Sequence, residues 1–210
     1  MPRPRFNKLT DEKRERIMKA AAKEFSTYGF EQASLNRILT KAGVSKGAAY
    51  YYFDDKADVF MTVVQYYSQG VRFNIEVDIG QLTAETFWPT FTQIYQQQLI
   101  YAFDHPGGMG VLAAISKVSS ETLEAYEVLA AFAEEITAWL TTFLKKGQAV
   151  GVIRGDLPDD LMVKLFVAID AVHDEWLLTQ HDKLTTEKIE QDVMPRLIDL
   201  LHRVFDPRSE

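Results

Sequence analysis

The sequence predicts an all-α protein: a three-helix head over residues 1–55, with the start of a connecting helix running to about residue 70, and a larger helical body over 56–210. Three observations predict it. Apolar residues recur at helical spacing along one segment after another, the pattern that lines one face of a helix. Ser34 and Ser45 precede two such segments, and Gly29 and Gly43 follow two, residue types that start and stop helices. Charge also divides the chain. Residues 1–60 hold 12 Lys and Arg against 8 Asp and Glu, a net of +4, which leaves 11 against 22, a net of −11, for the rest. A small basic end on an acidic body is the footprint of a protein that meets a polyanion at one end.

The first helix starts after Thr10, a residue type suited to the N-cap, with Asp11 and Glu12 complementing the helix dipole. Ile17, Ala21, Phe25 and Tyr28 share a face, and Gly29 ends the pattern. Ser34 caps the second helix, where Leu35, Ile38, Leu39 and Ala42 form one stripe before Gly43 stops it in a positive-φ conformation. Ser45 at once caps a third helix, with Val44 and Ala49 placed for a hydrophobic staple. Two helices joined by so short a glycine-containing turn make a helix-turn-helix unit.

In the third helix Ala49 and Phe53 are expected in the core and Tyr52 at its edge. Lys46, Gly47, Ala48, Tyr50 and Tyr51 then face outward, because adjacent positions point about 100° apart. Gly47 and Ala48 lack bulk and let the helix N-terminus approach DNA. Lys46 can donate to guanine or phosphate, and Tyr50 and Tyr51 can offer hydroxyls to phosphates. A helix N-terminus itself attracts phosphate, which adds Ser45. Ser34 and Lys56 begin the second and fourth helices and can make similar contacts. Arg3 and Arg5, spaced by Pro2 and Pro4, suit a basic arm or an unordered terminus.

The run Ala21-Ala22, Glu24-Phe25, Gly29-Phe30, Ile38, Ala42-Gly43-Val44-Ser45-Lys46-Gly47, Tyr50-Tyr51-Tyr52-Phe53 and Lys56 resembles the DNA-binding domain of the tetracycline-repressor-like (TetR) family. The resemblance covers roughly a quarter of the chain. It implies an all-helical homodimer whose two recognition helices enter successive major grooves of a palindromic operator. It further implies a repressor released by a small ligand bound in the C-terminal domain. Ala48-Ala49 departs from the family pattern, where a Thr and a large aliphatic residue are common; one possible hydroxyl contact is lost.

The body carries no family signature and is read from pattern. Val59, Phe60, Val63 and Tyr67 continue the fourth helix, with Gly70 interrupting it at a cost of about 1 kcal/mol relative to Ala. After a break at 77–81 comes an aromatic segment, 83–104, with Pro89 near its start; His105-Pro106-Gly107-Gly108 is a loop. Helices are expected over 109–117 and over 121–146, the latter ended by Gly147, with a second loop at 151–158. The last two, about 159–180 and 186–205, bear the stripes Leu161, Leu165, Ile169, Val172, Trp176 and Ile189, Val193, Leu197, Leu200, Leu201, Val204. Either stripe can pack its own core or, with a two-fold partner, a four-helix bundle. By resemblance the last two helices are the dimer interface.

An aromatic body can also hold a ligand. The lining expected is Phe87, Phe91, Tyr95, Met109, Tyr126, Trp139, Phe143, Phe166 and Trp176, with Gln98 and His173 as polar groups. In an acidic surround that suits a hydrophobic compound, cationic ones included. Enzymatic activity is not expected, and neither is a cofactor or metal. There are no cysteines, no glycine-rich phosphate loop and no His-Glu-x-x-His. His173 and His181 are about 12 Å apart along one helix, too far to share a metal, and Ser116, Ser119 and Ser120 have no nucleophile setting. With no signal sequence or membrane-spanning run, the expected compartment is the cytoplasm, at the nucleoid. The leading reading is therefore a homodimeric, ligand-released repressor. The alternatives are a DNA-organising or cell-division factor that answers to no ligand, and a helical enzyme or binding module with an incidental head.

Overall fold

The computed structural model describes residues 2–45, 47, 51–67, 77–105, 107–115 and 117–207, the side chains of Leu112 and His181 excepted. Lys46, Ala48, Ala49, Tyr50, Gly70 and Ser116 lie outside the described residues, and so do the assignments made for them above. Among the described residues there are helices and turns and no strand, as the periodicity predicts.

The helices are α1 (Asp11–Gln32), α2 (Leu35–Ala42), α3 (Lys56–Tyr67), α4 (Phe87–Asp104), α5 (Gly108–Ile115), α6 (Ser120–Ala125), α7 (Glu127–Ala149), α8 (Asp159–Gln180) and α9 (Met194–Phe205). Gly47, Tyr51 and Tyr52, between α2 and α3, are helical. The chain forms two compact units, one of residues 1–70 with 101–133, the other of 71–100 with 134–210. The core of the first gathers Ile17, Phe25, Phe30, Phe53, Phe60 and Val111. That of the second gathers Phe87, Phe91, Phe143, Phe166, Leu197 and Phe205.

Four helix limits differ from expectation, each for a local reason. Gly29 leaves helical geometry at φ +66°, but the chain resumes helix to Gln32. The expected 121–146 helix is two helices, because Tyr126 is extended (φ −129°, ψ 101°) and its ring packs edge-on against Phe30. Gly147 does not end α7. It lies inside the helix where a Cβ would sit 2.3 Å from Ile153 and 2.7 Å from the Phe87 ring, and the turn comes at Gly151, φ +78°. The run from Thr186 passes through a π-helical turn, Ile189–Val193, before α9. Pro195 has no N–H for the carbonyl four residues back and its ring crowds that carbonyl, which a widened turn relieves.

Candidate nucleic-acid interface and a buried polar cluster

The turn between α2 and the following helical segment is set by Gly43, at φ +68°, ψ 32°. The Gly43 N–H donates to the Thr40 carbonyl and the Val44 N–H to that of Leu39 at 2.9 Å. These two bonds make a Schellman stop, which needs a residue tolerant of the left-handed region. At the other end of α2, the Ser34 hydroxyl oxygen accepts from the Arg37 N–H. Thr10 occupies the N-cap of α1 as expected, but its side chain makes no capping bond.

Glu24 fastens α2 to α1. It is completely buried and accepts from the Ser34 N–H at 3.0 Å, from Arg37 at 2.5 Å and from Lys41 at 3.2 Å. Burial alone would raise its pKa, but these three donors outweigh that and hold the carboxyl below its usual range. Glu24→Ala is expected to lower stability by about 2–3 kcal/mol, at the low end for a broken buried pair because Arg37 and Lys41 keep access to water. A carboxyl with a depressed folded pKa stabilises above its unfolded value of 4.5, and that contribution is lost as pH falls through the folded value. Urea unfolding at pH 7 and in acid checks both; a deficit unchanged at pH 3 would contradict the assignment.

The described members of the predicted contact set are placed as follows. Ser45 and Gly47 are exposed. Tyr51 is 48% exposed, and the Arg5 guanidinium lies over its ring at 3.9 Å. Ser34 is engaged at the α2 cap. Lys56 is half-buried: its ammonium donates to the Glu31 carbonyl at 3.0 Å, lies 4.4 Å from the Phe30 ring centre and has its pKa lowered by burial. Phe53 is buried and Tyr52 sits at the core edge, as the spacing predicts. Tyr28 departs from its expected core face. It is 42% exposed, under the Arg37 guanidinium at 4.5 Å.

The N-terminal arm, ambiguous in sequence, is ordered against this surface. Phe6 is buried with its ring 4.9 Å from that of Phe53. The Arg3 N–H donates to the Tyr52 carbonyl at 2.8 Å, and its guanidinium pairs with Asp54. Arg5 therefore joins Tyr51 on one exposed surface. The signal available in sequence was Phe6, an apolar anchor between the arginines and the first helix.

In the second unit the expected ligand residues Phe87, Phe91, Phe143 and Phe166 pack in the core, with Tyr95 and Trp139 against it. Phe87 and Phe143 stack at 4.2 Å. Gln98 is half-buried on α4. Met109 and Tyr126 belong to the first unit. Two open grooves of about 490 and 990 Å³ are lined by other residues, among them Trp88, Gln93 and Gln97 for the first and Arg154, Met194 and Ile198 for the second.

Beside this core is a polar cluster that the sequence reading named only in part. The Tyr95 hydroxyl bonds Asp170 and lies 3.4 Å from Asp174. Asp174 is 7% exposed. Burial, then the neighbouring Asp170, pushes its pKa up to about 8; burial likewise raises Asp170 and Tyr95. His173 is lowered to about 4, by burial first and then by Arg196, so its ring is neutral. Both its ring nitrogens are buried without a hydrogen-bond partner. Trp176, 38% exposed, is 6.1 Å from the His173 ring and 5.4 Å from the Arg196 guanidinium. The residues missed were Asp170 and Asp174, one helical turn apart on α8.

With this geometry established, comparison with known proteins adds the following. The family model described as bacterial regulatory proteins, tetR family, matches residues 17–63. An HTH-type transcriptional regulator of Bacillus subtilis, YdgC, is 30% identical over 139 residues, 60% of this chain and 71% of that protein. The HTH-type transcriptional repressor BepR of Brucella suis is 42% identical over 53 residues, 25% of each chain. The crystal structure of the regulator FadR from Bacillus subtilis in complex with stearoyl-CoA superposes with a TM-score of 0.62 at 18% identity, covering 88% of this chain and 97% of that one. That likeness is one of fold.

Proposed function

This chain belongs to the tetR family of bacterial regulatory proteins, helix-turn-helix transcription regulators that bind DNA, and from that premise we propose that it is a homodimeric repressor released from a palindromic operator by a small hydrophobic ligand. Residues 1–55 are the DNA-binding head, and 56–210 the regulatory and dimerisation part. Lys46, Gly47, Ala48, Tyr50 and Tyr51 face the operator, with Ser34 and Ser45 at helix starts. Lys56, whose ammonium also braces the Glu31 carbonyl, stays in the proposed contact set, and Arg5 is added to it. No catalytic step belongs to this function. Among the described residues no helix is long and apolar enough to cross a membrane, and the proposed place of action is the cytoplasm, on the nucleoid.

The observation that carries the proposal is the α2 turn. A left-handed Gly43, closed by two backbone bonds, launches the exposed segment that holds Ser45, Gly47 and Tyr51. Selection of bound fragments from the source genome identifies the operator; half-sites about one helical turn apart, or a multiple of it, fit a two-fold reader. On that operator Lys46→Ala is expected to weaken binding about tenfold and to flatten the salt dependence by about one unit of slope, as one phosphate contact is removed. Undiminished affinity at moderate salt would take Lys46 out of the contact set. Close stacking of Phe87 on Phe143 favours a second reading, a factor on the same fold that answers to no ligand. It predicts the same operator occupancy whatever compound is added.

A further inference from the structure

We propose that the segment Pro2–Phe6 is a second DNA-binding element beside the helix-turn-helix, in which Arg5 grips a backbone phosphate while Arg3, paired with Asp54, positions it and masks a carboxylate that the DNA would otherwise meet. The inference rests on the DNA-binding reading above and gives the arm its ligand and its working parts.

The segment is fastened along its length. The Phe6 ring is 4% exposed and packs 4.9 Å from that of Phe53 and, edge-on, 6.4 Å from that of Tyr52. The Arg3 N–H donates to the Tyr52 carbonyl at 2.8 Å, and the Phe6 N–H to the Arg3 carbonyl at 2.8 Å. From α1, the Arg14 guanidinium donates to the Asn7 carbonyl at 3.3 Å. Pro2 and Pro4 fix two φ angles within this short run. A segment ordered before its partner arrives loses little conformational entropy on binding.

This order delivers a guanidinium whose donors are unused. Arg5 is exposed, and its guanidinium lies over the Tyr51 ring at 3.9 Å. A guanidinium stacked by its face keeps its N–H donors at the rim. Among the described residues no carboxylate or carbonyl meets those donors. Arg37, Arg154 and Arg203, by contrast, give theirs to Glu24, Asp156 and Asp199 at 2.5, 2.6 and 2.7 Å. The fork of donors matches a phosphate, which it can hold through two bonds at once. Tyr51, 48% exposed, offers its hydroxyl on the same surface.

Arg3 answers a different need. Asp54 is exposed and directly follows the run Tyr51-Tyr52-Phe53, so its carboxylate stands beside the reading surface, where it would repel phosphate. Arg3 pairs with it, the Nε at 2.9 Å. An exposed pair of this kind adds little to stability; its effect is on the charge that the DNA meets. Two like charges about 4 Å apart in water weaken binding roughly fivefold.

The test titrates the full-length protein with a duplex of about 40 base pairs and mixed sequence, and with the fragment recovered by genomic selection, across a range of salt concentrations. Arg5→Ala is expected to weaken binding to both by about tenfold at moderate salt and to flatten the salt dependence by about one unit of slope for each head bound, because a phosphate contact carries no sequence information. Arg5→Lys keeps the charge and should keep the slope. The unfolding midpoint of Arg5→Ala should fall by no more than about 4 °C, which separates contact from folding. Arg3→Ala is expected to weaken binding roughly fivefold, and addition of Asp54→Asn to restore most of it. An Arg5→Ala protein that binds both duplexes like the parent, or more weakly with the slope unchanged, would overturn the assignment of Arg5. Loss on the selected fragment alone would make the contact one to a base and overturn the phosphate. Failure of Asp54→Asn to rescue Arg3→Ala would overturn the masking. A parent protein that binds neither duplex would remove the DNA-binding reading itself, and the arm with it.

Discussion

Gly110→Ala is expected to lower the unfolding midpoint by roughly 2–8 °C, although the same substitution in an exposed helix would raise it. Alanine gains about 1 kcal/mol over glycine in a helix interior. Here, however, a Cβ on Gly110 would stand 2.1 Å from the Cβ of Ser26, 3.1 Å from its Oγ and 3.3 Å from its Cα. A Cβ is fixed to its own backbone, so no rotamer change clears the overlap; α5 must lift away from α1. Its neighbours Met109 and Val111 are buried at 3% and 1%, and such a shift loosens both. Overpacking in a tight core costs about 1–3 kcal/mol, occasionally more, which exceeds the propensity gain. At about 2–4 °C per kcal/mol for a chain of this size the midpoint falls. Because α1 also holds α2 through Glu24, operator binding should weaken with it. The decisive control is Ser26→Gly in the same chain, which removes the obstructing Cβ and should return most of the loss. A Gly110→Ala protein as stable as the parent would show that α5 does not ride on α1 as closely as these distances say.

The contrast between Gly110 and Gly43 shows where sequence reading reaches and where it stops. Gly43 follows a four-residue apolar stripe and precedes a capping serine, so its left-handed role is a local event with a local signature. Gly110 sits in a short apolar segment, and only the position of Ser26, 84 residues earlier, gives it meaning. Glu24 is similar. In sequence it is one charge among several on α1; its burial depends on three donors contributed by the Ser34–Lys41 stretch. The aromatic residues of the second unit were legible as a set, since Phe87, Phe91, Phe143 and Phe166 do gather. Spacing could not separate packing from pocket. The Asp170–Asp174 pair was visible at i, i+4 on a helix, but its depth was not, because Val172 between them is exposed and the two faces interleave in sequence. The break at Tyr126 and the π-helical turn before Pro195 were missed because helical periodicity runs through both.

If the proposed homodimer pairs through α8 and α9, Val172→Asp is expected to yield monomers and to reduce operator affinity by about 10²-fold or more, while barely changing the stability of the single chain. The reason lies in which face of α8 its own chain covers. Met162, Val163, Phe166 and Leu177 are buried, whereas Leu161, Val172 and Trp176 are exposed at 41%, 68% and 38%. On a helical wheel the stripe Leu161, Leu165, Ile169, Val172, Trp176 is centred about 120° from the buried face. Leu165 and Ile169 still rest against the core, but Leu161, Val172 and Trp176 leave apolar surface that their own chain does not cover. Leu200 on α9 is 43% exposed as well, so both of the last helices present apolar surface. An aspartate at 172 introduces a charge that water solvates in the monomer and that a helix-on-helix interface would have to desolvate twice across a two-fold axis. In the proposed homodimer, losing the second head would turn a two-site grip into a one-site grip, which is the source of the expected fall in operator affinity. Sedimentation separates the alternatives. A variant that stays dimeric at micromolar concentration would place the interface elsewhere. A variant that is monomeric yet binds the full operator as tightly as the parent would mean that the two half-sites are not read together, and the palindrome would lose its purpose.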